Sequence, residues 1–409
     1  MKGFLKLILE VNMSQKLLFL VTAIVSFSVL VSQTSDAQRK KRGLLSSPDV
    51  AEETTDTPAK TTPPVTPAGA TGDAAATPAQ TGPMDLFKMA SENTAKKNAA
   101  AEAGEVAAGN SKGKGKGKEG EIEVPPPEML TLQSDGINIM AALFKSPNAE
   151  DPEMAKVIVP MILLHDWGGS MNDLGPLAQY LQSVGHTVIV PDLRGHGRSV
   201  TMVNSPQPLD YSKFNRAQIA TVKRDIEECK KKLIDFNNDG KLNISMLSVL
   251  AVGDLCPLAT EWTLTDWSFQ NAGAIKQGKD VQSLILVSPP RKFQQSSMSQ
   301  LVRHPLLAGG ANFEIPTLVI YGQNGRSAKD TTSIYNLMEK KRPPSDASDT
   351  EVRWAQQSLY ELAVPGSADG AQLLTPNPAV YRFIGMFNFY KVSKNADNIP
   401  WASREAKKN

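Results

Sequence analysis

The sequence predicts an α/β fold: a mainly parallel central sheet covered by helices on both faces. Two observations carry this. From Leu130 to Tyr390, short apolar runs alternate with helical patterns, and strand–helix–strand alternation builds parallel sheets through crossovers. The first third of the chain is Thr, Pro, Ala, Gly and Lys with few large apolar residues. Such a composition cannot bury enough surface to offset its ordering entropy. The 409 residues are therefore expected to hold one folded unit.

Residues 1–37 carry the pattern of a secretory signal peptide. Lys16 precedes the apolar run Leu17–Val31, and Ser35-Asp36-Ala37 supplies a small-x-small cleavage site. The run is shorter than the ~20 residues of a spanning helix. This places the protein in an exported location (periplasm, cell envelope or medium), with membrane attachment only if the signal stays uncleaved. Residues 38–127 are expected to be a disordered linker. Within it, Lys112–Lys118 alternates lysine with glycine beside the acids of Glu119–Glu123, which reads as a solvated spacer. The folded domain is expected over 128–395, and a flexible tail over 396–409. A formal net charge of +2 gives no global attraction for nucleic acid. The two cysteines, Cys229 and Cys256, are too few for a disulfide framework and read as separate small apolar residues.

Within the domain, Leu130–Gln133 and Ile137–Phe144 form two strands around Asp135-Gly136, a tight-turn dipeptide. Val157–Leu164 suits a central strand, with Pro160 counting against its first half. A helix follows with Leu174, Leu177, Leu181 and Val184 on one face and Gly185 as its stop. Thr187–Val190 is the next strand. Asn215 and Gln218 form a capping pair that opens a helix with the stripe Ile219, Val222, Ile226, Cys229 and Leu233. Further strands are expected at Met246–Val252, Val281–Val287, Pro316–Tyr321 and Leu359–Val364. The Arg291–Phe313 insertion forms either a small lid or a surface crossover.

Three motifs sit at strand ends: His165-Asp-Trp-Gly-Gly-Ser170, Asp192-Leu-Arg-Gly-His-Gly-Arg-Ser199, and the strand-to-helix stretch Leu247–Thr260 around Gly253-Asp-Leu-Cys-Pro257. With the late strand Ile315–Gly322, this order of pieces resembles the α/β-hydrolase superfamily. That family exposes a nucleophile on a Gly-x-Ser-x-Gly elbow and runs its triad in the order Ser, acid, His. Carried over position by position, the resemblance puts Leu255 in the nucleophile slot, Gly325 in the acid slot and Asp369 in the histidine slot. None of these residues suits its slot. The chain has four histidines (His165, His186, His196 and His304), and none follows the Pro316–Tyr321 strand. The resemblance also implies an oxyanion region formed by His165, Trp167, Gly168 and the backbone N–H of Cys256.

The sequence thus points to an exported α/β-hydrolase-fold protein with vacated triad positions that binds rather than hydrolyses. Its partner would be a small molecule or a cell-envelope component. Two alternatives stand beside this: an esterase-like hydrolase with an unorthodox nucleophile, Cys256 or Asp254 helped by His165 or His196, and a structural envelope protein. No cofactor or metal is expected. Asp235–Asn243 imitates a calcium loop but has Met246 where a bidentate acid belongs, so it reads as a helix stop and turn. Arg194 and Arg198 are expected to brace the loop after the Thr187–Val190 strand.

Overall fold

The computed structural model describes residues 124–405 except 206, 274, 311 and 312. The expected signal peptide and nearly all of the expected linker lie outside the described residues. Among the described residues, no helix is long and apolar enough to cross a membrane.

Eight strands form one sheet: β1 (Glu128–Ser134), β2 (Ile137–Phe144), β3 (Pro160–Leu164), β4 (Thr187–Pro191), β5 (Leu247–Val252), β6 (Val281–Val287), β9 (Thr317–Gly322) and β10 (Leu359–Val364). A separate two-stranded hairpin, β7 (Lys292–Phe293) and β8 (Ser296–Ser297), follows β6. The order in the main sheet is β1-β2-β4-β3-β5-β6-β9-β10. β2 runs antiparallel to both β1 and β4, and every other neighbouring pair is parallel. Asp135 and Gly136 both have positive φ, 52° and 74°, as a two-residue primed hairpin turn requires. Pro160 opens β3 rather than interrupting it, because its missing N–H costs nothing at a strand's first position.

The principal helices are α1 (Gly175–Ser183), α2 (Arg216–Asn238), α3 (Leu255–Ser268), α4 (Ala328–Glu339) and α5 (Pro378–Lys391). Successive strand residues point to opposite faces, which splits the core in two. Leu247, Val249 and Ala251 of β5 join the layer beneath α2, α3 and α4. Leu250 and Val252 join the layer beneath α1 and α5. The capping pair forms as expected: Gln218 N–H donates to Asn215 Oδ1 at 3.0 Å, and Asn215 N–H to Gln218 Oε1 at 2.9 Å. The whole stripe from Ile219 to Leu233 is buried. Val184 departs from expectation. It follows the last residue of α1 and is 49% exposed, because the chain is already turning into Gly185, at φ 100°.

One region corrects the sequence reading, and a second selects between two expectations. The expected tail is held in place through Glu405. Asn243 Nδ2 donates to the Ile399 carbonyl at 2.8 Å, Asn237 Nδ2 to the Ala402 carbonyl at 3.0 Å, and Trp401 Nε1 to the Asn237 carbonyl at 3.1 Å. Arg404 reaches Asp280 Oδ1 at 2.5 Å and the Lys276 carbonyl at 2.7 Å. It completes a buried charge cluster in which Lys230 pairs with Asp266 (2.5 Å) and Asp280 (2.9 Å). Burial alone would raise the Asp280 pKa, but Lys230, Lys276 and Arg404 together hold it below the usual carboxylate value. The second region is Arg291–Phe313. Phe293, Met298, Val302 and Leu307 are buried in the larger apolar layer, which favours the crossover over the lid for its described residues.

Candidate active site

The chain leaves β3 for β4 on one side and returns past β3 to reach β5 on the other. Ligand crevices in open α/β sheets form at such switch points, beyond the carboxyl ends of the strands. Two turns meet there: His165–Ser170 after β3, and Gly253–Asp254 after β5.

In the β5 turn, Gly253 has φ 53°, a left-handed conformation with little cost only for glycine. Its N–H donates to the Val287 carbonyl at 2.8 Å. Asp254 is already helical, at φ −64° and ψ −16°. Leu255, the expected nucleophile slot, is the first residue of α3 and is fully buried in the apolar layer. The one residue of this turn with the strained backbone of an elbow is therefore Gly253, two positions before Leu255. Cys256 corrects a second expectation. Its N–H donates to the Gly253 carbonyl at 3.0 Å, so it is not a free oxyanion donor. Its thiol is buried and donates to the Ala251 carbonyl at 3.2 Å. Burial pushes the thiol pKa well above its usual value, and Asp166 adds to the rise.

Asp166 organises the crevice. Its Oδ1 accepts the N–H of Trp167 at 2.8 Å and the N–H of Asp254 at 2.8 Å. A Cβ built on Gly253 would fall well inside contact distance of all three atoms of this carboxylate. The Asp166 carboxylate thus lies where a side chain at position 253 would project. Burial raises its pKa; the two N–H donors and Arg326 oppose that, while Asp369 reinforces it. Asp254 is likewise pushed up, by burial and by Asp166.

Asp369, in the expected histidine slot, faces helix α4. Ser327 donates to it twice, from its hydroxyl and, at 3.0 Å, from its N–H. Hydrogen bonds from Ser327 and Ser288 outweigh burial and lower its pKa. Arg326 stands 3.9 Å away with its side chain 96% exposed. A Cβ on Gly325, the expected acid slot, would lie 3.4 Å from Asp369 Oδ1, so these two slots do adjoin. Sequence reasoning missed Ser288, which is buried at the end of β6 with φ 52°. Its Oγ accepts the N–H of Gly370 at 2.9 Å. No local pattern in Val287-Ser-Pro-Pro290 announces it.

The histidines are turned away from this chemistry. His165 donates from Nδ1 to the Asp166 carbonyl at 2.7 Å and accepts the Leu193 N–H at Nε2, 3.1 Å away. A carbonyl can only accept, which fixes the tautomer. His196 donates from Nδ1 to the Arg194 carbonyl at 3.0 Å and stacks on Tyr211, with centroids 4.1 Å apart. Trp167 packs edge-on against His196 at 4.7 Å and tilts against Phe293 at 5.2 Å. Gly168, at φ 86°, lies beside the Tyr211 hydroxyl. Arg194 braces the Asp192–Ser199 loop as expected, through Asp225 (2.7 Å), Thr221 (2.6 Å) and Ser134 (2.9 Å). The calcium-like stretch is the end of α2, where Asn237 Oδ1 accepts the Ile244 N–H at 3.0 Å. Among the described residues there is no group of three or more His, Cys, Asp or Glu placed to hold a metal ion.

Neither the family models nor the curated proteins give a match to the sequence. Solved structures do. A serine hydrolase without a lid from Xanthomonas campestris is 15% identical, with 64% of this chain and 93% of that one covered and a TM-score of 0.39. Carboxyl esterase 2 from Tuber melanosporum is 11% identical, with 68% and 89% covered and a TM-score of 0.43. An esterase from Pyrococcus furiosus is 12% identical, with 70% and 100% covered and a TM-score of 0.41. With its eight-stranded, mainly parallel sheet, helices on both faces and a tight strand-to-helix turn after β5, this chain has the α/β-hydrolase fold.

Proposed function

We propose that this protein is an exported, non-catalytic member of the α/β-hydrolase fold that acts by binding a small molecule or a cell-envelope partner. The observation that carries this reading is the Asp166 carboxylate in the space beside Gly253. In a working hydrolase of this fold, the left-handed elbow residue carries the attacking oxygen, and two N–H groups face the developing oxyanion. Here the elbow residue has no side chain, and a carboxylate already holds both N–H groups. A fixed negative charge at that place would oppose an oxyanion. We therefore assign the vacated nucleophile position to Gly253, with Gly325 and Asp369 in the acid and histidine positions. Export rests on the sequence pattern of residues 1–37.

The Cys256–His165 form of the unorthodox-nucleophile alternative finds little support. The Cys256 thiol is enclosed and bonded to a backbone carbonyl, and His165 is committed through both ring nitrogens. A nucleophile needs a base within hydrogen-bond reach. The test uses the purified protein with a fluorophosphonate probe and a panel of p-nitrophenyl esters. No labelling and no turnover above buffer are expected. Turnover that disappears in Cys256→Ala, or in Ser288→Ala, would overturn the proposal.

A further inference from the structure

We infer that Asp166 is the built-in occupant of a preformed two-amide pocket, and that this pocket takes up a free small carboxylate once the Asp166 side chain is removed. The inference rests on the reading that no nucleophile operates beside Gly253.

The pocket does not depend on its occupant for its shape. Both donors are fixed by other bonds. On the β3 side, the Asp166 carbonyl accepts from His165 Nδ1 at 2.7 Å and from the Gly169 N–H at 2.9 Å. On the β5 side, Gly253 is tied to Val287 at 2.8 Å and Cys256 to Gly253 at 3.0 Å. The Trp167 and Asp254 N–H groups, 87 residues apart in the chain, thus converge on one point, Asp166 Oδ1, with their peptide planes held by separate bonds. Asp254 N–H also belongs to the amino end of a 14-residue helix, where backbone dipoles favour negative charge. Glycines form the walls. Gly253 has no Cβ to intrude, and a Cβ on Gly370 would lie 3.3 Å from Asp166 Oδ2.

The surrounding charges explain why a tethered carboxylate holds this position. Asp254 and Asp369 each add negative charge near Asp166, and the exposed Arg326 opposes it. A free anion would meet both acids and would also lose its translational freedom. Asp166 is already attached beside the donors and pays far less entropy. With Asp166 in place, the pocket is closed to outside anions. Without it, one negative charge is gone and two aligned, part-buried donors lose their acceptor, which is costly.

The test compares wild type with Asp166→Ala by thermal unfolding, in sodium formate and in sodium chloride at matched ionic strength. The substitution is expected to lower the midpoint by roughly 5 °C. Formate should restore most of that loss with a saturable dependence, chloride should not, and wild type should respond equally to both salts. Equal responses of the variant to the two salts would overturn the inference. If Asp166→Ala does not fold, the amide protons of Trp167 and Asp254 in wild-type protein decide it. Both should shift as the pH is lowered, because both donate to one carboxylate. A Trp167 or Asp254 amide that stays static through the titration would overturn it. Ester turnover by the native protein would sink the non-catalytic reading, whereas absent formate rescue would sink only this one.

Discussion

The Asp192–Ser199 loop and the Gly253–Asp369 crevice lie at the same end of the sheet and use their polar side chains differently. In the loop, the charged and hydroxyl side chains of Asp192, Arg194 and Ser199 end on fixed partners, while His196 Nε2 is buried without one among the described residues. Asp192 accepts the N–H groups of Met171 (2.7 Å) and Arg198 (2.8 Å), Ser199 Oγ donates to the Asp192 carbonyl (2.6 Å), and Arg194 is buried against Asp225. In the crevice, two of the three expected triad slots carry no functional group, and the carboxylates at Asp166, Asp254 and Asp369 are partly solvated. The lesson is that the family-like motif of the loop does folding work here. Its presence therefore says nothing about catalysis at the crevice.

Three measurements break or sharpen that contrast. The largest effect is expected from acid. Burial lowers the pKa of His165, His186 and His196 to about 4 from an ordinary 6.5. Above pH 6.5 these rings are neutral in both folded and unfolded chains. Between pH 6.5 and 4 the unfolded chain takes up protons that the folded one refuses, so stability falls as pH falls. Each ring contributes at most ~3 kcal/mol to that loss. Denaturant titrations at pH 7 and pH 4.5 measure it, and an unchanged midpoint would mean that the buried histidines are already charged. Next comes Arg194→Ala, which strands the buried Asp225 charge and is expected to cost about 3–5 kcal/mol. A loss below ~1 kcal/mol would erase the difference between loop and crevice. The smallest is Gly253→Ala, expected to cost ~2 kcal/mol through left-handed strain and overlap with Asp166. Combining it with Asp166→Gly should recover part of that cost. Strict additivity in the double variant would mean that the two positions do not share space.

Much of the fold was legible in local patterns. The strand runs, the Asn215–Gln218 box and the Asp135-Gly136 turn each follow from residues within a few positions of one another. The frame centred on Leu255 lies two residues beyond Gly253, the residue of this turn with left-handed backbone. Gly253 looked like a flanking glycine, whereas the backbone makes it the left-handed residue itself. A frame centred on Gly253, with the small Ala251 two residues before it, was the signal available. Asp166 could not be recognised as the crevice's organiser, because one of its two donors lies 88 positions away. The tail from Ile399 to Glu405 looked polar and loose for the same reason: its partners, among them Asn237, Asn243 and Asp280, are distant in the chain.

That strap has a kinetic consequence. Its side-chain contacts with the end of α2 and the segment before β5 join residues 156–166 positions apart. Contacts of such long sequence separation carry a large loop-closure cost and slow the search for the native state. The Lys230–Asp280 cluster beneath the sheet reaches its final partner, Arg404, only when the strap docks. Amide exchange around Asn237–Ser245 would then report the strap's own opening and closing, as a cooperative unit separate from the crevice at the other end of the strands.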